Sequence, residues 1–208
     1  QARWAGQEDV IGRGAALSDP HGDLFEQVLA AVPENRVRDV VIIDPSDPEL
    51  PVGLNPLDFG PSPNAMQSNR IANDLLDIFD SLYDMRVSGG PGFEMFFRNI
   101  LTLAGTAPHD LSAYGLQKGP PTLLTAVEIM RNGELRERLL RACKTSFLGA
   151  DLGGEVVGFF ESSQKQRGEQ SFENWVPYVS SKLTRFLSNP LLRRLLCTPK
   201  RTIDFRQV

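Results

Sequence analysis

The feature that most limits how this chain can fold is a proline-rich stretch at residues 45–64, PSDPELPVGLNPLDFGPSPN. It holds six prolines in 20 residues. Proline donates no amide hydrogen and disfavours helical backbone in the residue before it, so neither a helix nor a central strand can run through such a stretch. We interpret it as an extended connection between two parts of the chain that have different sequence patterns.

Before this connection, strand and helix patterns alternate. A short apolar run at 15–17 ends at Asp19, and a helical pattern, DLFEQVLAAV, follows at once. The β-branched run VVII at 40–43 then ends at Asp44. Such a run is typical of a strand that is buried on both faces. Strand, helix and strand in this order predict a right-handed βαβ unit with parallel strands.

After the connection only helical periodicity remains. It predicts helices at 65–84, 91–105, 121–143, 152–163 and 174–188, and a short helix that begins at Asn189-Pro190. The end of the chain, KRTIDFRQV, reads as a turn towards another strand. The patterns together predict an α/β fold: a parallel-sheet piece at 1–60, an all-helical part at 61–200 and a return to the first part at 201–208.

Charge is divided unevenly along the chain. Residues 1–130 hold 8 Lys and Arg against 18 Asp and Glu, whereas residues 131–208 hold 14 against 8. This split favours two surfaces with different partners, one of them a polyanion such as DNA, although solvated helix surface is the simpler alternative. Contacts to phosphate need only accessible Lys and Arg. The DNA-binding candidates are Lys182, Arg185, Arg193, Arg194, Lys200 and Arg201.

Aromatic residues beside these positive charges have two interpretations. Phe172, Trp175 and Tyr178 lie close to Lys182 in the sequence. They could stack on nucleic-acid bases. At helical spacing, burial in the core is the more common use of such residues, and we favour it.

Other motifs exclude several classes of protein. Cys143 and Cys197 form no CxxC pair, which fits a reducing compartment rather than a disulfide framework or a zinc ribbon. His109 is the only histidine besides His21, so no metal site is predicted, and no G-x-S-x-G motif is present. No signal peptide and no apolar run of membrane-spanning length is present, which predicts a soluble, cytoplasmic segment.

The turn Asp19-Pro20-His21-Gly22-Asp23 concentrates the polar chemistry of the first part. In a parallel sheet, Asp19 and Asp44 would both lie at carboxyl ends of strands, where ligands bind. Asp19 could hold a metal-bound water or a basic group, His21 could donate to an anion, and Asp23 could orient a water molecule as a base. Gly22 would allow the backbone to turn. Each side chain also has a purely structural alternative, which for Asp23 is capping the next helix.

The same turn carries a resemblance to a known family. The block GRGAALSDPHGDLFEQVLAAVPENRVRDVVIIDPSDPELPVGLNPLD resembles the HerA/FtsK-type P-loop ATPases, and within them the conjugative coupling ATPases of type IV secretion and their HerA-like relatives. In that family an Asp-Pro-His/Lys-Gly-Asp/Glu turn follows the P-loop helix, and a second strand ends in Asp-Pro-Ser before GLNPL. The resemblance continues in GPGFEMFFRNILTLA, PTLLTAVEIM, YVSSKLTRFLSNPLLRRLL and TIDFRQV.

The resemblance implies a homo-hexameric motor that hydrolyses ATP with Mg²⁺ and moves DNA without sequence specificity. It implies a RecA-like core with an inserted all-helical subdomain. Secretion or relaxosome proteins are implied as further partners, and membrane association would come through a segment outside this chain. The implied site residues are Asp19, His21 and Asp23 as catalytic groups and Asp19, Gly22 and Asp44 as cofactor-binding groups.

The sequence departs from the family in three respects. The phosphate-binding loop G-x-x-x-x-G-K-[ST] and the apolar strand ending in Asp-Glu that holds magnesium are both absent. Both are expected outside these 208 residues, so the chain alone is expected to be inactive as an ATPase. Gly92 stands where relatives often carry arginine. The alternative hypothesis is a non-enzymatic helical adaptor that docks a protein or nucleoprotein cargo.

Overall fold

The computed structural model describes residues 15–44, 47, 52–83, 90–168, 171–199 and 202. The chain divides into two units, Gln1–Ile43 with Asp204–Val208, and Asp44–Ile203. All the regular secondary structure of the described residues is helical.

The described part of the first unit contains two short helices. Helix α1 covers Phe25–Ala30, inside the helix predicted after the turn, and a 3-10 helix follows at Glu34–Asp39. Neither helix has a buried residue. Three apolar side chains of the predicted helix are exposed, Leu24 at 51%, Phe25 at 39% and Val28 at 37%.

The predicted α/β fold, a partial RecA-like parallel sheet followed by helices, is wrong for the described residues. The runs 15–19 and 40–44 have irregular backbone that joins no strand ladder. Val41 and Ile42 are each 49% exposed, although their sequence predicted burial on both faces. A β-branched run favours extended backbone, but a strand forms only when a neighbour supplies its hydrogen bonds. The predicted strand towards the end of the chain lies outside the described residues, apart from Thr202.

The second unit confirms the predicted helices closely. Residues 121–143, predicted as one helix, form two, because Asn132 ends the first and caps the second by accepting from the Leu135 amide at 3.1 Å. The helices of this unit are α2 Ala65–Tyr83, α3 Gly90–Gly105, α4 Leu123–Arg131, α5 Gly133–Cys143, α6 Gly149–Lys165, α7 Phe172–Leu187 and α8 Pro190–Cys197, with a 3-10 turn at Ser112–Tyr114.

Helix α3 lies at the centre of this unit and packs against α2, α4, α5, α6 and α7. Its sequence, GPGFEMFFRNILTLAG, is apolar on most sides, which is typical of a helix surrounded by others. Phe93 and Phe97 are stacked with ring centroids 5.5 Å apart, and the ring of Phe79 from α2 approaches Phe97 edge-on at 5.0 Å. These rings join α2 to the centre of the core.

The aromatic residues of α7 complete this core. Phe172 is buried, and Trp175 and Tyr178 pack against the core cluster. A β-carbon added to Gly92 would lie 2.5 Å from the Trp175 ring. Trp175 therefore occupies the space that a side chain at position 92 would need, which favours glycine at this position.

Asn55 holds the GLNPL segment against Pro121 and Pro199 by hydrogen bonds. The side chain of Asn55 is fully buried and donates to the carbonyls of Pro121 at 2.9 Å and Pro199 at 3.2 Å. Its oxygen accepts from the Leu57 amide at 3.2 Å. The Gly53 amide also donates to the Thr202 hydroxyl at 2.8 Å. Because this asparagine satisfies several buried groups at once, it holds the connection against the helices.

Two glycines of α6 provide a test of the packing between α5 and α6. A β-carbon at Gly153 would lie 2.7 Å from the Cys143 carbonyl oxygen and 2.9 Å from the Lys144 Cα, whereas one at Gly158 meets nothing within 4 Å. We expect Gly153→Ala to lower the free energy of unfolding by about 1–3 kcal/mol, because backbone must move. Gly158→Ala should raise it by about 0.5–1 kcal/mol through helix propensity. Urea denaturation measures both, and equal shifts would contradict the packing.

Candidate functional site

The Asp19 carboxylate organises the turn that precedes α1. Its Oδ1 accepts from the Gly22 amide at 3.0 Å. Its Oδ2 accepts from the amides of Leu24 and Phe25, both at 2.9 Å. Gly22 has a φ of 79°, a left-handed conformation that suits glycine. The cap predicted from Asp23 is therefore supplied by Asp19, which satisfies amides at the start of the helix.

These bonds determine the ionisation of Asp19. The backbone amide of Leu24, followed by those of Phe25, Gly22 and His21, lowers the pKa of this carboxyl below its ordinary value of 3.8. Bonds to the charged form favour that form. Both carboxylate oxygens are already engaged with backbone. The structure thus shows Asp19 holding the turn through bonds to its backbone.

His21 and Asp23 are neighbours of Asp19 in this turn, and both are exposed. The carbonyl oxygen of Asp23 accepts from the Gln27 side chain at 3.0 Å, which fixes its backbone at the start of α1. The turn therefore presents an imidazole and a carboxylate two residues apart to solvent. Asp44, the other predicted cofactor-binding residue, is exposed and begins the second unit. Asp19 belongs to the first unit and Asp44 to the second, and neither follows a strand within the described residues, so their predicted placement at carboxyl ends of strands is wrong there.

The predicted DNA-binding residues have different surroundings. Arg193 and Arg194 lie on α8 and are exposed. Lys182 is half-buried on α7, with its Nζ 5.5 Å from the centre of the Tyr178 ring. Arg185 belongs to α7, but its side chain lies outside the described part, as do Lys200 and Arg201 entirely. Helix α8 is therefore the place where the described structure exposes predicted DNA-binding cations.

Local sequence explains why α8 forms where it does. The Asn189 side chain accepts from the amides of Leu191 at 2.9 Å and Leu192 at 3.3 Å, and Pro190 occupies the first turn. Both are common at helix starts. At the other end Cys197 is buried, and burial raises the pKa of its thiol to about 11. The helix is thus anchored at its end and keeps its two arginines at the surface.

Arg136 is a cation that sequence reasoning missed. Its Nη1 donates to the carbonyl of Ile129 at 2.8 Å, near the end of α4. Its guanidinium carbon lies 4.3 Å from the centre of the Phe172 ring on α7. Burial lowers the pKa of this guanidinium from its usual value. Arg136 therefore joins α4, α5 and α7, and it contributes packing rather than a binding surface.

Other kinds of site find no support in the parts of the chain that are described. Across those parts, no group of three or more His, Cys, Asp or Glu side chains comes together as a metal site would require. Burial raises the pKa of both the Cys143 and the Cys197 thiols, which disfavours thiolate chemistry. None of the helices within the described ranges combines the length and apolar character needed to cross a membrane.

Comparisons with known proteins give no match: no family model, no curated protein and no solved structure matches the chain.

The hydrogen bonds of Asp19 lead to a test by pH. Since the folded pKa is lowered below 3.8, the stabilisation of the turn is present above that pH and is lost as pH falls through the lower folded value. We expect the amide NMR signals of Gly22, Leu24 and Phe25 to titrate together with a midpoint below 3.8. Asp19→Asn should abolish this titration, whereas Asp23→Asn should leave it unchanged. A normal midpoint would contradict the described bonds.

Proposed function

We propose that this chain is part of an ATP-driven, DNA-translocating motor of the HerA-like or conjugative-coupling kind. The proposal starts from the resemblance carried by the DPHGD turn and GLNPL. The observation that supports it best is the geometry of that turn. Asp19 fixes the backbone through three amides and leaves His21 and Asp23 at the surface. A rigid turn with exposed polar groups is what contact with a nucleotide would need.

Under this proposal, His21 donates a hydrogen bond to a phosphate oxygen and Asp23 orients the attacking water. ATP and Mg²⁺ are held chiefly by a phosphate-binding loop, which these 208 residues do not contain. Asp19 acts indirectly, since it positions the backbone on which the other two side chains stand. Because the roles differ, substitutions of the three residues should have different effects on kcat and on the order of the turn.

The first test measures ATP hydrolysis by the full reading frame, with and without DNA. We expect DNA-stimulated hydrolysis, and we expect His21→Ala and Asp23→Asn each to lower kcat about 100-fold or more, as loss of a positioned acid or base does. Glu34→Gln, an exposed residue of the 3-10 helix, serves as the control and should be neutral. The 208-residue chain alone should be inactive.

Two results would each refute one part of this proposal. Turnover by the 208-residue chain would show that hydrolysis needs no further loop. Unchanged kcat in both variants would mean that the turn has a structural role and no catalytic one. Asp19→Ala should also lower kcat, but with loss of the amide signals that mark the ordered turn, which separates a positioning effect from a direct one.

The second test addresses DNA. Helix α8 exposes Arg193 and Arg194, and the described part of 171–199 holds one acidic residue, Glu173. We expect Arg193→Glu with Arg194→Glu to weaken binding to duplex DNA of any sequence. The slope of log K against log salt should fall in magnitude by roughly one to two, because each lost phosphate contact contributes about 0.9.

The matched control reverses Arg138 and Arg141 on α5, which are also exposed and change the net charge equally. Binding should then change far less, since only the charge of the whole protein is altered. Equal weakening by the two double variants would mean that α8 is not a DNA contact.

The second candidate function is a helical adaptor without enzymatic activity, docking a protein or nucleoprotein cargo. One observation favours it: the described residues contain helices and no strand. The adaptor predicts that Asp19 and His21 can be replaced without loss of function, while the arginines of α8 cannot. The variants already named therefore distinguish the two candidates.

A further inference from the structure

The junction between α4 and α5 contains the dipeptide Asn132-Gly133, which occurs once in the 208 residues. Asparagine is a thermolabile residue. The carbonyl carbon of its side chain, Cγ, is open to attack by the backbone nitrogen of the residue that follows. When that residue is glycine, no β-carbon hinders the approach, and the backbone turns easily into the conformation that the attack needs. This junction is therefore the place in the chain where such chemistry is least hindered.

Asn132 shares its position at the start of a helix with two other asparagines, which allows a comparison within one chain. Asn64 accepts from the Gln67 amide at 2.9 Å and is followed by alanine. Asn189 accepts from the Leu191 amide at 2.9 Å and is followed by proline, whose nitrogen carries no hydrogen. The three residues have the same capping role and differ in the nitrogen that could attack them.

The folded structure restrains the side chain of Asn132 at both of its polar atoms. Its Oδ1 accepts from the Leu135 amide at 3.1 Å, and its Nδ2 donates to the Oε1 of Glu128 at 3.2 Å. Its backbone is extended, with a ψ of 103°, which turns the Gly133 nitrogen away from Cγ. Ring closure therefore needs a local opening that breaks these bonds and rotates the backbone.

We propose that Asn132 is a site of spontaneous modification, at a rate set by opening of the junction between α4 and α5. In the opened junction the Gly133 nitrogen gives up its proton and attacks Cγ of Asn132. A bond forms between this nitrogen and Cγ, and the side-chain nitrogen leaves with a proton as ammonia. Water then opens the resulting succinimide at one of its two carbonyls, which gives aspartate or isoaspartate. The sequence of steps needs water alone and no oxidant or reductant.

The two products differ in what they do to the junction. Both place a new carboxylate where the Asn132 amide now donates to Glu128. Aspartate keeps an oxygen for the Leu135 amide, so the cap of α5 survives. Isoaspartate carries the chain through its former side chain and lengthens the backbone between α4 and α5 by one atom. The modification thus changes the charge of the junction and, in one product, its covalent length.

The first experiment incubates the 208-residue chain at mildly alkaline pH, both folded and in guanidinium chloride, and measures conversion of each asparagine by peptide mass spectrometry. In denaturant we expect Asn132 to be converted well before Asn64 and Asn189 to stay unmodified. In the folded chain Asn132 should be converted about tenfold or more slowly than in denaturant, because the junction must open first.

The second experiment changes the attacking residue and keeps the cap. A β-carbon at Gly133 would lie 3.5 Å from the Arg136 Nη2, which is ordinary contact, so Gly133→Ala should fold. In denaturant it should slow the conversion of Asn132 to the rate of Asn64, which alanine also follows. Gly158→Ala is the matched control, since it adds the same methyl group far along the sequence and should leave the rate unchanged.

Three outcomes would overturn the proposal. The first is conversion of Asn132 in denaturant no faster than conversion of Asn64. The second is an equal rate at Asn132 in the folded and the denatured chain, since the junction would then not control it. The third is an equal rate in Gly133→Ala and Gly158→Ala, which would exclude the Gly133 nitrogen as the attacking group.

Discussion

The burial of α3 is the constraint on which the rest of the helical unit depends. Phe93, Phe96 and Phe97 are at most 1% exposed, and each such side chain contributes about 1.5–3 kcal/mol of transfer free energy. A helix that is apolar on most sides must be covered on most sides, and here five helices surround it. Helix α8 packs on α4 and α7, which themselves pack on α3, so the position of its exposed arginines follows from this core.

The connection from 52 to 60 shows how the unit is closed. Asn55 bonds to Pro121 and Pro199, and Gly53 bonds to Thr202, so the start of the unit is tied to its end across 149 residues of sequence. Proline-rich chain cannot satisfy its backbone within a helix, and here a buried asparagine donates to two proline carbonyls. The same arrangement brings Phe59 against the end of α3.

A sequence pattern predicts structure well when the element that it specifies can satisfy its own backbone hydrogen bonds. Helical periodicity and capping residues such as Asn189 identify the helices of the second unit, apart from the break at Asn132 between α4 and α5, because a helix satisfies its backbone internally. The β-branched run at 40–43 could not be judged in this way, since strand formation requires a neighbour that no local pattern specifies. The cap of the first helix was predicted from Asp23, because a carboxylate directly before a helix suits its start. Only the structure shows that Asp19 accepts the hydrogen bonds of the first helix amides.

The surroundings of each arginine matter more than the number of positive charges in the sequence. Arg136 is positive, but its guanidinium donates to a helix carbonyl and lies over the face of the Phe172 ring. Arg98 likewise donates to Asn69 at 2.8 Å and Asn73 at 2.6 Å, joining α3 to α2. Removing either would weaken packing and so would mimic loss of a binding residue in any assay of function. A surface role can be assigned only where the side chain is exposed and its loss leaves the fold intact, and among the described DNA-binding candidates Arg193 and Arg194 on α8 meet the first of these conditions.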